Sequence, residues 1–198
     1  MKGPLFYSKI LLFGEYGIIQ DSKGLSIPYN FYNGALKKED HPSPEAIASN
    51  GHLKRFVTYL ESLQTEQPDL VQFDIATLQK DVNEGMYFDS SIPQGYGVGS
   101  SVALVAAIYD KYAQHKITVL ENLTREKLLE LKTIFSQMES FFHGKSSGLD
   151  PLNSYLSIPI LINSKDNIEA TGIPTQSFDG KGAVFLLDSG IVGETAPM

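Results

Sequence analysis

Three groups of residues in this 198-residue chain have types and spacing that could do chemistry. The first is Glu139-Ser-Phe-Phe-His-Gly-Lys-Ser-Ser-Gly-Leu-Asp150, where two carboxylates flank a helix end and a glycine turn. Acids brought to one place in this way suit a metal-assisted reaction. The second is Pro93-Gln-Gly-Tyr-Gly-Val-Gly-Ser-Ser101, a glycine-rich loop that opens into an apolar helix. Backbone amides at such a junction suit a phosphate group. The third is Lys9, a lone cation inside an otherwise apolar strand pattern, where burial demands a partner or a task. Together they point to phosphate chemistry.

Each group also has a plainer reading. Gly95, Gly97 and Gly99 allow sharp turning and close approach of the backbone, and Ser100 and Ser101 sit where unpaired N–H groups and the helix dipole favour an anion. The loop is neither a Walker A motif, lacking Gly-Lys-Ser/Thr, nor a good Rossmann fingerprint. Taken alone, it is equally a plain turn capped by serine. Glu139 falls roughly 70° from the centre of the stripe formed by Leu128, Leu131, Phe135, Met138 and Phe142. A carboxylate at that edge either snorkels to water or points into a cleft. Asp150 precedes Pro151, the pattern of a helix N-cap, which does not exclude catalysis. His143 suits a helix C-terminus. His41, His52 and His115 are scattered and expected to be solvated, so no histidine pair suggests a metal site.

The elements that must position these groups follow from periodicity and punctuation. Strands are expected over 5–13 and 25–36, a helix over 44–63 with Pro44 at its start, and a short strand over 86–92. The stretch 67–81 is ambiguous. A buried helix should run over 100–112, and another from an N-cap at Thr124 to about Phe142, closed by Gly144. A short helical piece follows Asp150, then a strand over 158–162, a loop holding Asp166, Asn167 and Gly172, and an apolar strand over 183–188.

Composition sets the outer limits. With 42% hydrophobic and 20% charged residues the chain reads as an ordinary globular domain, or one domain and the start of another. A net charge of −7 argues against a general nucleic-acid or anionic-membrane surface. There is no cysteine, hence no disulfide or thiolate site, and neither a signal peptide nor a transmembrane run is apparent. A cytoplasmic location is the expectation.

In order along the chain, Ser8-Lys-Ile-Leu-Leu-Phe-Gly-Glu-Tyr-Gly-Ile-Ile19, the 93–101 loop and the 139–150 segment resemble the motifs of the GHMP kinases, and among them most closely those of mevalonate kinases. The resemblance implies an α+β fold with a ribosomal-protein-S5-domain-2-like N-terminal domain. It implies ATP and Mg²⁺ as cofactors and a small-molecule alcohol as acceptor, most closely mevalonate in isoprenoid synthesis. Ser101 and Glu139 would hold the metal, and Gly95, Gly97, Val98, Gly99, Ser100 and Ser101 would wrap the phosphates. Asp150 would be the catalytic base with Lys9 as its positive neighbour. Glu15, Tyr16, His143 and Ser147 would contribute to the substrate side.

The chain departs from that pattern in places. Tyr16 stands where mevalonate kinases usually have histidine, which keeps phosphomevalonate kinase and other kinases of the family as alternatives. Ser146 replaces a common proline. The family's third glycine-rich motif is missing. The resemblance thus implies an ATP-binding domain over 1–180 and, over 181–198, the first strand of a largely missing ferredoxin-like C-terminal domain. That leaves a non-catalytic nucleotide-binding fragment as a further alternative. The apolar strand over 183–188, uncovered, would favour a homodimer or poor solubility.

Overall fold

The computed structural model describes residues 4–14, 22–94, 97–119, 122–164, 166–172 and 187. Glu15, Tyr16, Gly95 and, apart from Leu187, the expected strand over 183–188 lie outside them.

The architecture is α+β, with a five-stranded antiparallel sheet against helices. β1 (Phe6–Phe13) pairs with β2 (Gly24–Lys37), the long central strand. The other edge of β2 is shared by β4 (Ile160–Ser164) near its start and β3 (Tyr87–Ser90) near its end. β5 (Asn167–Ala170) extends the sheet beyond β4. The helices are α1 (Pro44–Glu66), α2 (Ile75–Asn83), α3 (Ser100–Tyr112), α4 (Arg125–His143) and α5 (Leu149–Leu156).

The β1–β2 ladder is not regular. Tyr7 pairs with Asn33, but the next residue, Ser8, pairs with Tyr29, so residues 30–32 bulge from β2. Bulges of this kind re-aim neighbouring side chains. Here the irregularity directly precedes Lys9, and Phe31 is left 74% exposed in the bulge.

α3 forms the centre of the core. From Val102 to Tyr109 every residue of it is buried, as a helix apolar on all sides requires. Leu53, Phe56 and Leu60 of α1, Leu131 and Phe135 of α4, and Ile160 and Ile162 of β4 complete the same cluster. Local chemistry fixes the ends. Ser43 caps α1 through the Ala46 N–H, with Pro44 at the first position. Thr124 caps α4 through the Lys127 N–H, and Gly144 closes it.

Three expectations need correction. The ambiguous stretch 67–81 becomes a turn and then α2, whose N-cap Asp74 accepts from the Thr77 N–H. The expected loop around Asn167 is instead β5, an edge strand with Ile168 as its single buried residue. The strand placed over 158–162 starts at Ile160. α2 has 9 residues and β5 has 4, too few for periodicity to reveal them, and tertiary packing decides both.

Candidate active site

Lys9 and Asp150 meet as an ion pair, with Nζ 2.7 Å from Oδ2. Two periodicities bring them together. Residues i and i+4 of a helix share a face, so Asp150 and Ser154 of α5 point the same way. Residues i and i+2 share one face of a strand, which aligns Lys9 with Tyr7 on β1. The Ser154 hydroxyl donates to the Tyr7 carbonyl at 2.6 Å, fixing the register in which Asp150 reaches Lys9. Asn153 adds a second anchor, donating to the carbonyls of Ser26 at 3.2 Å and Ile158 at 2.9 Å. The Lys9 ammonium is largely buried while the Asp150 carboxylate keeps one side open, with 37% of its side chain exposed.

Asp150 is not the N-cap of α5. That position belongs to Gly148, in the left-handed region at φ 74°, and Asp150 lies in the first turn. Glycine is required there for a second reason. A Cβ on Gly148 would stand 1.9 Å from the Lys132 carbonyl oxygen of α4, so the loop presses directly on that helix. An acid one step inside the helix still gains from the dipole, and its side chain is left free of capping duty.

Glu139 is buried, at 6% exposure. It lies on the inner side of α4 rather than at a solvent boundary. The Ser146 hydroxyl donates to its carboxylate. Burial pushes the Glu139 carboxyl up to about 7; the Ser146 hydrogen bond opposes this, the charge of Asp150 adds to it, and Lys9 pulls it back. Glu139 therefore shares an electrostatic neighbourhood with the Lys9–Asp150 pair.

The glycine loop approaches the same strand. Lys9 N–H donates to the Val98 carbonyl at 3.3 Å, tying the loop to β1. Gly97 and Gly99 have φ of 67° and 91°, and Gly99 is the N-cap of α3 with no side chain capping it. Ser100 and Ser101 thus open a helix whose first N–H groups face away from any side-chain cap, an arrangement suited to an anion. The Ser101 hydroxyl lies 3.1 Å from His143 Nε2, which joins the head of α3 to the tail of α4. His143 and Ser147 are exposed. Ser147 accepts from the Leu149 N–H at 3.3 Å.

The structure therefore links Lys9, Asp150 and Glu139, ties the Val98 segment to Lys9, and pairs Ser101 with His143. Sequence reasoning passed over Ser136 and Ser154, and noted Ser146 only as a replacement for proline; all three hold the frame. The Ser136 hydroxyl donates to the Ser146 carbonyl at 2.6 Å. Serine is too common on helices and in loops for its identity to mark these positions.

Among the described residues, no group of three or more His, Asp or Glu is arranged to hold a metal ion. A hydroxyl and a buried carboxylate nonetheless fit a hard cation that takes part of its shell from substrate phosphates. Mg²⁺ commonly binds through one or two protein oxygens in this way. Burial of Glu139 with a hydroxyl as its hydrogen-bond partner is the feature that a cation would compensate.

Comparison with known proteins gives the following. The family model of the GHMP kinases N terminal domain matches residues 60–157. Mevalonate kinase of Methanococcus jannaschii is 14% identical at a TM-score of 0.49, covering 86% of this chain and 56% of that one. Mevalonate kinase from methicillin-resistant Staphylococcus aureus MRSA252 is 18% identical at a TM-score of 0.45, covering 84% and 53%. L. major mevalonate kinase in complex with R-mevalonate is 18% identical at a TM-score of 0.47, covering 89% and 56%. The chain spans about half the length of these structures. No curated protein matches it. The family match takes in the glycine loop, α3, Glu139 and Asp150, and over residues 60–157 the chain carries the N-terminal domain of the GHMP kinases.

Proposed function

We propose that this chain supplies the nucleotide-binding and proton-accepting side of an ATP- and Mg²⁺-dependent kinase that phosphorylates the hydroxyl of a small molecule, mevalonate being the acceptor of choice. The observation that carries this reading is the Lys9–Asp150 pair at 2.7 Å, next to a buried Glu139 and a strand-tethered glycine loop.

Phosphoryl transfer passes through a loose transition state with charge spread over the phosphoryl oxygens, so positioning and electrostatics do most of the catalysis. In this chain the backbone of Gly95, Gly97, Val98, Gly99 and Ser100 would cradle phosphates at the head of α3. Ser101 and Glu139 would hold Mg²⁺, which when bound supplies positive charge to the phosphate oxygens. Asp150 has an open side and would accept the proton of the acceptor hydroxyl. Lys9 orients Asp150 and balances its charge. His143 and Ser147, exposed near the start of α5, would line the acceptor side with Glu15 and Tyr16.

The reading is supported by the family match and by the geometry around Asp150. The divisions at 1–180 and 181–198, and a homodimer, remain part of this proposal. So does a cytoplasmic location; no helix among the described residues is long and apolar enough to cross a membrane.

Incubating the protein with ATP, Mg²⁺ and mevalonate should release ADP, and Asp150→Ala should abolish that release. Nucleotide binding without release in any acceptor tested (mevalonate, phosphomevalonate, homoserine, galactose) would overturn the catalytic part. Absence of nucleotide binding by calorimetry would overturn the assignment of the glycine loop.

A further inference from the structure

We propose that Ser146 is a positioning residue that sets the Glu139 carboxylate for metal binding and couples it to the turn that carries Asp150. The inference rests on the metal-binding reading of Glu139 given above.

The Ser146 hydroxyl occupies a bridging place. It donates to Glu139 Oε2 and accepts from the Gly148 N–H at 3.0 Å. A hydroxyl has one proton to give and lone pairs to receive, so both bonds form at once. Gly148 is the N-cap of α5, and Asp150 stands in the first turn after it. One oxygen therefore joins the carboxylate of α4 to the first turn of α5.

The main chain at Ser146 is fixed independently of that hydroxyl. Its carbonyl accepts from the Ser136 hydroxyl at 2.6 Å, and the Ser140 hydroxyl donates to the Ser136 carbonyl at 2.7 Å. Gly148 packs on the backbone of Lys132 and Ser136, where a Cβ would meet atoms at 1.9 and 2.7 Å. The hydroxyl is thus presented from a rigid support rather than from a free loop. With one Glu139 oxygen engaged by Ser146, the carboxylate's rotation is restricted and its other oxygen, Oε1, can be offered to a cation. Groups that hold a ligating carboxylate by hydrogen bonds tune metal affinity although they never touch the metal.

An alanine at 146 would leave the Ser136 bond, the Gly148 contact and the Lys9–Asp150 pair in place. It would remove a hydroxyl partner of the buried Glu139 and the acceptor of the Gly148 N–H together. Threonine would keep that partner.

The test is Mn²⁺ binding in the presence of ADP, followed by electron paramagnetic resonance of the full chain, for the unsubstituted protein, Glu139→Gln, Ser146→Ala and Ser146→Thr. Circular dichroism melting would confirm that each variant is folded. The expected result is a loss of about tenfold in Mn²⁺ affinity for Ser146→Ala, with Ser146→Thr close to the unsubstituted protein. Ser146→Ala should likewise raise the Mg²⁺ concentration needed for half-maximal ADP release more than it lowers the maximal rate, and Ser146→Thr should not. Weakening by Glu139→Gln but not by Ser146→Ala overturns the role of Ser146 and leaves Glu139 as the ligand. If the unsubstituted protein binds no Mn²⁺, or Glu139→Gln binds it as well as the unsubstituted protein, the metal reading itself falls and this inference with it. A Ser146→Thr variant as weak as Ser146→Ala would also overturn the proposal, since the effect would then follow shape rather than the hydroxyl.

Discussion

Lys9 on the first strand and Asp150 on the last helix form a 2.7 Å ion pair in which the cation is the more deeply buried partner. The asymmetry fits a lysine that serves the acid while the acid faces outward. Lys9→Met keeps much of the apolar stem and removes the charge. It should lower maximal ADP release by about 10²–10³-fold, in the range found for removing one preorganised electrostatic contact. Steady-state kinetics at saturating ATP and acceptor check this, and an unchanged maximal rate would remove Lys9 from the machinery.

Glu139 gives a pH prediction. Burial raises its carboxyl from the ordinary 4.5 to about 7, so the folded form holds a proton that the unfolded chain has released. A raised value contributes stability that is fully present below about 4.5 and lost as pH climbs to about 7. Without divalent cation, the unsubstituted protein should lose stability across that window relative to Glu139→Gln. Urea titrations at several pH values measure the difference, and parallel curves for the two proteins would contradict the assignment.

Gly144 and Gly148 make an internal comparison in one loop, since both have φ of 74°, with ψ of −49° and −1°. Gly144 has open space where a Cβ would stand, whereas Gly148 has the Lys132 carbonyl at 1.9 Å. Gly144→Ala should cost about 1–3 kcal/mol, the strain of a sparsely populated backbone region alone. Gly148→Ala must also displace α5 from α4 and should cost more than about 3 kcal/mol. Chemical denaturation would read both, and equal losses would show that the close contact is not rigid.

Away from the site, Asp81 accepts from Lys38 at 2.9 Å, Lys111 at 2.8 Å and the Tyr112 hydroxyl at 2.6 Å. Partial burial pushes its carboxyl up, but hydrogen bonds from Lys111, Tyr112 and Lys38 outweigh this and hold it well below the usual range. The group ties α2 to α3 and to the segment after β2. Asp81→Asn should destabilise the fold by about 1–3 kcal/mol at neutral pH. Because a lowered value gives stability that is lost as pH falls through it, the gap between the two proteins should narrow below about 3.8. Thermal melts at pH 7 and pH 2.5 would show whether it does.

Much of this molecule is legible from residue patterns, and the reasons differ by element. α3 was predicted to its end residues because an apolar run with glycine before it admits few other readings. α4 was equally plain, with Thr124 and Gly144 marking its limits. Lys9 stood out because a charge in an apolar strand must be answered, and the structure answers it with Asp150. Glu139 could be placed near the edge of a stripe, but its burial depends on α5 and the 145–148 loop, which no helical wheel contains. β5 and α2 were missed because their stability comes from neighbours rather than from their own pattern. Ser136 and Ser154 were missed for the same reason: their meaning lies in carbonyls distant in sequence.

Those distant carbonyls govern when the site can come into being. The bonds that seat α5, Asn153 to Ser26 and Ser154 to Tyr7, join residues 127 and 147 positions apart. Contacts of such span must overcome the entropy of closing a long chain before they return any stabilisation. During synthesis, Lys9 is made well before Asp150, its partner in the folded chain. A piece of the protein ending before Leu149 would hold the cation without its acid. The docking of α5 on β1 and β2 creates the Lys9–Asp150 pair, so the growth of any signal from that pair reports a contact that spans most of the described chain.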